Sequence, residues 1–146
     1  MAKIKLGLIA LIGLMAVAQV FRIDKTNPPV EGALVTPPEI ENLMRRACYD
    51  CHSNETVWPW YTNVAPVSWL VTRDVKEGRE ELNFSRWGAY DDAKKIKKLK
   101  KTAKEAAKGE MPPWYYVLAH PEARLSPTEQ QIFDTWINAE IARPTH

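Results

Sequence analysis

The run Cys48-Tyr49-Asp50-Cys51-His52 constrains this chain more than any other stretch. Two thiols three positions apart can add to the two vinyl groups of one porphyrin, and a His directly after the second thiol is held beneath the iron as its proximal ligand. Other readings are weaker. A thioredoxin-like pair needs a βαβ setting, whereas the residues before Cys48 have helical spacing. A structural zinc site needs four N or S ligands, and beyond the motif only His120 and His146 remain. A Cys48–Cys51 disulfide would close too small a loop to stabilise much, and it leaves His52 unexplained. One covalent haem c, attached through Cys48 and Cys51 with His52 on the iron, is the expectation. The chain is expected to handle electrons.

Covalent haem attachment in bacteria takes place outside the cytoplasmic membrane, so the motif asks for an export signal. Lys3 and Lys5 precede an uninterrupted apolar run from Leu6 to Ala18, and Ala16-Val17-Ala18 has the small-x-small form of a cleavage site. The apolar stretch continues through Val20 and Phe21 to Arg22, about 16 residues or roughly 24 Å of helix, marginally short for a span. Lys3, Lys5 and Arg22 can snorkel to the headgroups on either side, which favours a retained anchor over a removed signal. The expected location is the periplasm, on the outer face of the cytoplasmic membrane.

Residues 1–22 are therefore read as signal or anchor, 23–36 as a tether and 37–146 as one small domain. Thr26 to Pro38 holds four prolines and reads as extended chain that keeps the domain off the membrane. Four helices follow. The first runs from about Pro37 to Asp50, with Thr36 and Glu39 as a capping box. The second covers about Pro66 to Leu82, with Val67, Leu70, Val71 and Val75 on its apolar face and Gly78 weakening its end. The third runs from about Tyr90 to Lys108 and stops at Gly109. The last runs from about Pro127 to Ala142, opened by the box Ser126 to Glu129. No alternating strand pattern competes, so the fold class is all-α.

A helix ending in the haem motif, a Met on a proline-containing loop about 60 residues later and a closing amphipathic helix resemble the class I cytochromes c. A narrower likeness lies in Trp60-Tyr61, Ala65-Pro66-Val67-Ser68-Trp69-Leu70, Gly78-Arg79, Leu82-Asn83-Phe84-Ser85, Met111-Pro112-Pro113-Trp114-Tyr115 and His120-Pro121. These strings, with Asn27-Pro28-Pro29 before them and Leu125-Ser126 after, are similar to the small haem-binding domain family of bacterial exported proteins. The resemblance implies a cytochrome c-like helical domain around one haem, and no settled physiological role comes with it. Class I cytochromes usually place a Gly before an aromatic residue on the first helix, where helices cross closely. Here Glu41, Leu43 and Met44 occupy that region, and Trp136 is the residue large enough to fill the contact.

Iron held by His52 has one further axial position, which a thioether or an imidazole can fill. Met111 lies 59 residues after His52 and precedes two prolines, so its backbone is extended and free of helix bonds. His120, also before a proline, is the alternative. Six tryptophans are heavy usage for this length. Trp60, Tyr61, Trp69, Trp114 and Tyr115 are candidates to cover the porphyrin face, while Trp136 reads as ordinary core. Arg73 or Arg79 could pair a propionate, although for either alone a solvated role weighs more.

Lysines at 94, 95, 97, 98, 100, 101 and 104 crowd the third helix. They read either as a docking surface for an acidic redox partner or as a solvated face, since the net charge is only +2. An exported chain has no use for nucleic acid. The leading functional expectation is a membrane-tethered monohaem electron carrier without catalysis. The alternative is a haem enzyme or gas or redox sensor with a displaceable sixth ligand, although no distal His-Arg pair of the peroxidase kind is present. An accessory subunit with a mainly structural haem is a third reading.

Overall fold

The computed structural model describes residues 2–143, so His146 lies outside the described residues. Among these, every regular element is helical, as the sequence periodicities predict. An apolar helix α1 (Ala2–Ala18) comes first, and none of its residues is buried. No helix among the described residues is long and apolar enough to cross a membrane.

The first helix of the domain, α2 (Pro38–Ala47), buries Ile40, Leu43, Met44 and Ala47. The predicted capping box is not formed: Pro37 occupies the cap position without a side-chain bond, and the buried Thr36 hydroxyl has no partner among the described residues. The helix breaks at Cys48 (φ −127°, ψ −39°) and resumes as α3 (Tyr49–His52). That break separates the two halves of what the periodicity reads as a single helix.

Helix α4 (Val67–Glu81) departs most from its sequence pattern. Its buried residues are Ser68, Val75 and Gly78, while Val67 and Leu70 face outward. Gly78 is not a weak end but a crossing point, because a Cβ placed there would meet the Cys51 carbonyl oxygen at 2.5 Å. The closest approach of α3 and α4 is thus made at a residue without a side chain.

Helix α5 (Asp92–Ala107) is capped by the Asp91 carboxylate, which accepts from the Lys94 N–H at 2.7 Å, and Gly109 takes up a positive φ of 70° just beyond it. A short helix α6 (Trp114–Ala119) was not legible in the sequence. Helix α7 (Pro127–Ala142) opens on the predicted capping box, with both reciprocal bonds between Ser126 and Glu129 present. Three 3₁₀ turns, Trp60–Asn63, Phe84–Ala89 and Pro121–Ala123, fill the connections.

Helix α7 packs against α2 and α5, and α3 packs against α4. Their shared core contains Ile40, Leu43, Met44, Tyr49, Leu82, Phe84, Leu99, Phe133, Trp136 and Ile137. Phe133 stacks on Trp136 at 5.8 Å and Tyr49 on Phe84 at 5.6 Å. The Arg46–Glu129 ion pair, at 2.5 Å, ties α2 to the start of α7.

The segment read as a tether is bonded along the domain instead of standing free of it. Glu31 and Leu34 donate backbone N–H groups to the carbonyls of Ser85 and Phe84 at 2.8 and 2.9 Å. Asn54 donates to the Pro29 carbonyl, and the Arg79 guanidinium reaches the Thr26 carbonyl and the Asn27 side chain. The prolines keep this strap extended, and side chains of the domain satisfy its carbonyls.

Candidate functional site

A cavity of about 340 Å³ opens where α3, α4, α5 and the loop after Gly109 meet, and Cys48, Cys51, His52 and Met111 all line it. The break between α2 and α3 brings the two thiols and the imidazole to it together. Burial pushes both thiols up to about 12, with the neighbouring Cys51 adding to the effect at Cys48 and Asp50 adding to it at Cys51. At neutral pH both are therefore uncharged thiols.

The imidazole of His52 is set by α4. Its Nδ1 lies 2.9 Å from the Gly78 carbonyl oxygen and 3.2 Å from that of Leu82. Two acceptors require a proton on Nδ1, so Nε2 carries the lone pair and makes no hydrogen bond among the described residues. Burial lowers the pKa of His52, against a smaller opposing effect of the two carbonyls, and keeps the ring neutral. A neutral imidazole with a fixed tautomer and an uncommitted Nε2 is a ligand prepared for a metal.

Asp50, between the two cysteines, accepts from the Val57 N–H through Oδ1 at 2.9 Å and from the Tyr116 hydroxyl through Oδ2 at 2.8 Å. Burial and this carboxylate push the Tyr116 phenol well up, so it stays a donor. The mouth is charged. Glu81 pairs with Lys101 at 2.7 Å, and Lys98 bonds the Glu81 carbonyl, so two lysines of the run reach the cavity. Lys94 instead lies over the Tyr90 ring, and Lys95 pairs with Asp92.

The other candidates divide. Met111 is 45% exposed and shares the cavity with His52. His120 does not line it: its ring stacks on Tyr116 at 4.5 Å, its Nε2 bonds the Tyr61 hydroxyl at 2.6 Å, and its Nδ1 faces Glu122 at 3.3 Å. Both ring nitrogens are thus engaged. Of the five aromatic candidates only Tyr115 lines the cavity, bonded to Asp74 at 3.0 Å. Trp60, Tyr61, Trp69 and Trp114 do not: the three indoles are exposed, and the half-buried Tyr61 is bonded to His120. Phe84, Phe133, Leu82 and Leu125 supply apolar surface in their place. Arg79 binds the strap, and Arg73 sits at the mouth paired with Asp74 at 3.1 Å.

Sequence reasoning missed Gly78, Phe84 and Tyr116. A glycine inside a helix costs about 1 kcal/mol against alanine, a signal that a close approach requires it. Nothing comparable marks Tyr116 among its aromatic neighbours.

The lining fits a haem: a neutral imidazole, two thiols, a thioether and apolar walls meet in one cavity. No curated protein and no solved structure matches the chain. A family model described as a haem-binding domain matches residues 11–139, from within α1 almost to the end of α7, and the chain belongs to that family of haem-binding domains.

Proposed function

We propose that the protein is a periplasmic electron carrier with one haem c, attached through Cys48 and Cys51 and ligated by His52 and Met111. The observation that carries this reading is the His52 imidazole, neutral and fixed at Nδ1 by two backbone carbonyls, in a cavity shared with both cysteines and Met111. Bound haem supplies the one-electron Fe(III)/Fe(II) couple. The chain supplies the setting. Gly78 and Leu82 hold His52 in one tautomer, so its Nε2 geometry changes little between the two charge states. Phe84, Phe133 and Leu125 give the cavity apolar walls, and Lys97, Lys100 and Lys104, exposed on α5, offer positive charge to an acidic redox partner. Helix α1 serves as export signal and membrane anchor.

A second reading, a gas or redox sensor, draws on the exposure of Met111: a thioether on a half-exposed loop can be displaced. The optical spectrum of the purified protein with and without carbon monoxide separates the two. A reduced spectrum unchanged by carbon monoxide supports the carrier, and ready formation of a carbon monoxide adduct supports the sensor.

A further inference from the structure

Helix α1 has 17 residues, none buried, and no charged side chain from Leu6 to Ala18. Its length of about 25 Å falls short of the ~30 Å hydrocarbon core of a bilayer. A span that is too short draws whatever flanks its end into the boundary layer. The α1 end is bonded to the domain. The Gln19 side chain accepts from the Ala65 N–H at 3.0 Å and donates to the Ala65 carbonyl at 3.2 Å. The Trp69 indole N–H donates to the Phe21 carbonyl at 3.4 Å, and Lys25 bonds the side chain of Asn63.

The surface beside this junction has its polarity inverted. In the first turn of α4 Ser68 is buried, while Val67, Trp69 and Leu70 are exposed. Val64 joins them, Trp60 is 78% exposed and Phe21 is 65% exposed. Apolar side chains outside and a serine inside are the arrangement of a surface whose neighbour is not water. Tryptophan is the residue enriched at the boundary of a bilayer, where the ring is apolar and the N–H finds a partner.

We propose that Phe21, Trp60, Val64, Val67, Trp69 and Leu70 form a lipid-facing surface that lies in the interfacial layer of the membrane. This rests on the reading of α1 as membrane-embedded and goes beyond it. A tether would leave the haem free to turn, whereas a docked face fixes its orientation. Gly78, whose carbonyl holds His52, lies eleven residues along α4 from Val67, about 16 Å further on. The iron ligand is thus held toward the other end of α4 from the lipid.

The test uses the full-length haem-loaded protein in nanodiscs of phosphatidylethanolamine and phosphatidylglycerol, with a nitroxide on one introduced cysteine: Leu11→Cys, Trp60→Cys, Leu70→Cys or Lys97→Cys. Collision rates are measured with oxygen, which concentrates in lipid, and with a water-soluble nickel chelate. The oxygen-to-nickel ratio should be several-fold higher at positions 60 and 70 than at 97, and highest at 11. Labels at 60 and 70 that match 97 while 11 reads as lipid would overturn the docked face and leave the anchor standing. A water-exposed label at 11 would overturn the anchor and the docked face with it. Labels at 60 and 70 shielded from both reagents would overturn the lipid assignment in favour of a protein partner.

Discussion

The part of the cavity lining that carries His52 is held by buried backbone contacts, whereas the part that carries Met111 is held by little besides a proline loop. Around His52, α3 and α4 touch at Gly78, two carbonyls grip Nδ1, and Arg79 donates to the Ser53 carbonyl at 2.7 Å. Around Met111, the backbone N–H reaches the Glu105 carbonyl at 3.3 Å and the side chain is half exposed. The group beside the two cysteines is thus built for permanence. The thioether stands where a small loop movement can change it without disturbing the fold.

The contrast breaks most readily at Gly78. In Gly78→Ala the new methyl meets the Cys51 carbonyl, and the clash should outweigh the gain in helix propensity, costing about 3 kcal/mol in denaturant unfolding of the haem-loaded protein. An unchanged unfolding midpoint would show that the α3–α4 crossing is not tight. Arg79→Ala removes donors from the carbonyls of Ser53 and Thr26 and from the side chains of Asn27 and Thr56. It should cost about 2 kcal/mol. Hydrogen exchange over residues 23–36 should quicken at the same time. Arg79→Lys should recover only part of both, since an ammonium cannot span four acceptors.

On the other side, Met111→Ala should cost less than about 1 kcal/mol, because its side chain is half exposed, yet it should open the iron to carbon monoxide. A stability loss as large as that of Gly78→Ala would erase the difference between the two regions. The smallest effect is expected away from both, at the Arg46–Glu129 pair. The Ser126 N–H, ahead of the Arg46 guanidinium, lowers the Glu129 carboxyl from the usual 4.5 to about 2. Its folded pKa is depressed, so its stabilisation is present above pH 4.5 and is lost as pH falls through about 2. Exposure limits this to about 0.5 kcal/mol, and Glu129→Gln should flatten the decline between these pH values.

What could be read from sequence was local. The haem motif and the Ser126 capping box each lie within five residues, and the structure forms that box and brings the motif to the cavity. What could not be read was set by chain far away. The Gly78 role depends on Cys51, and the outward turn of Val67 and Leu70 depends on what covers the other side of α4. Periodicity finds an apolar stripe but not the medium it faces. The Thr36 box fails because the helix begins only after Pro37. The partners of His120 are equally remote in sequence: Tyr61 bonds its Nε2, and Tyr116 stacks on its ring.

On the proposed reading, Cys48, Cys51 and His52 hold one haem covalently in this cavity. This attachment is tested most directly by expressing the full chain in a host that matures c-type cytochromes, extracting the purified protein with acid acetone and recording the pyridine haemochrome of the protein fraction. One haem per chain should stay with the protein, and it should be lost to the solvent in a Cys48→Ala, Cys51→Ala double variant. Haem that leaves the unaltered chain under extraction, or stays with the double variant, would contradict that reading.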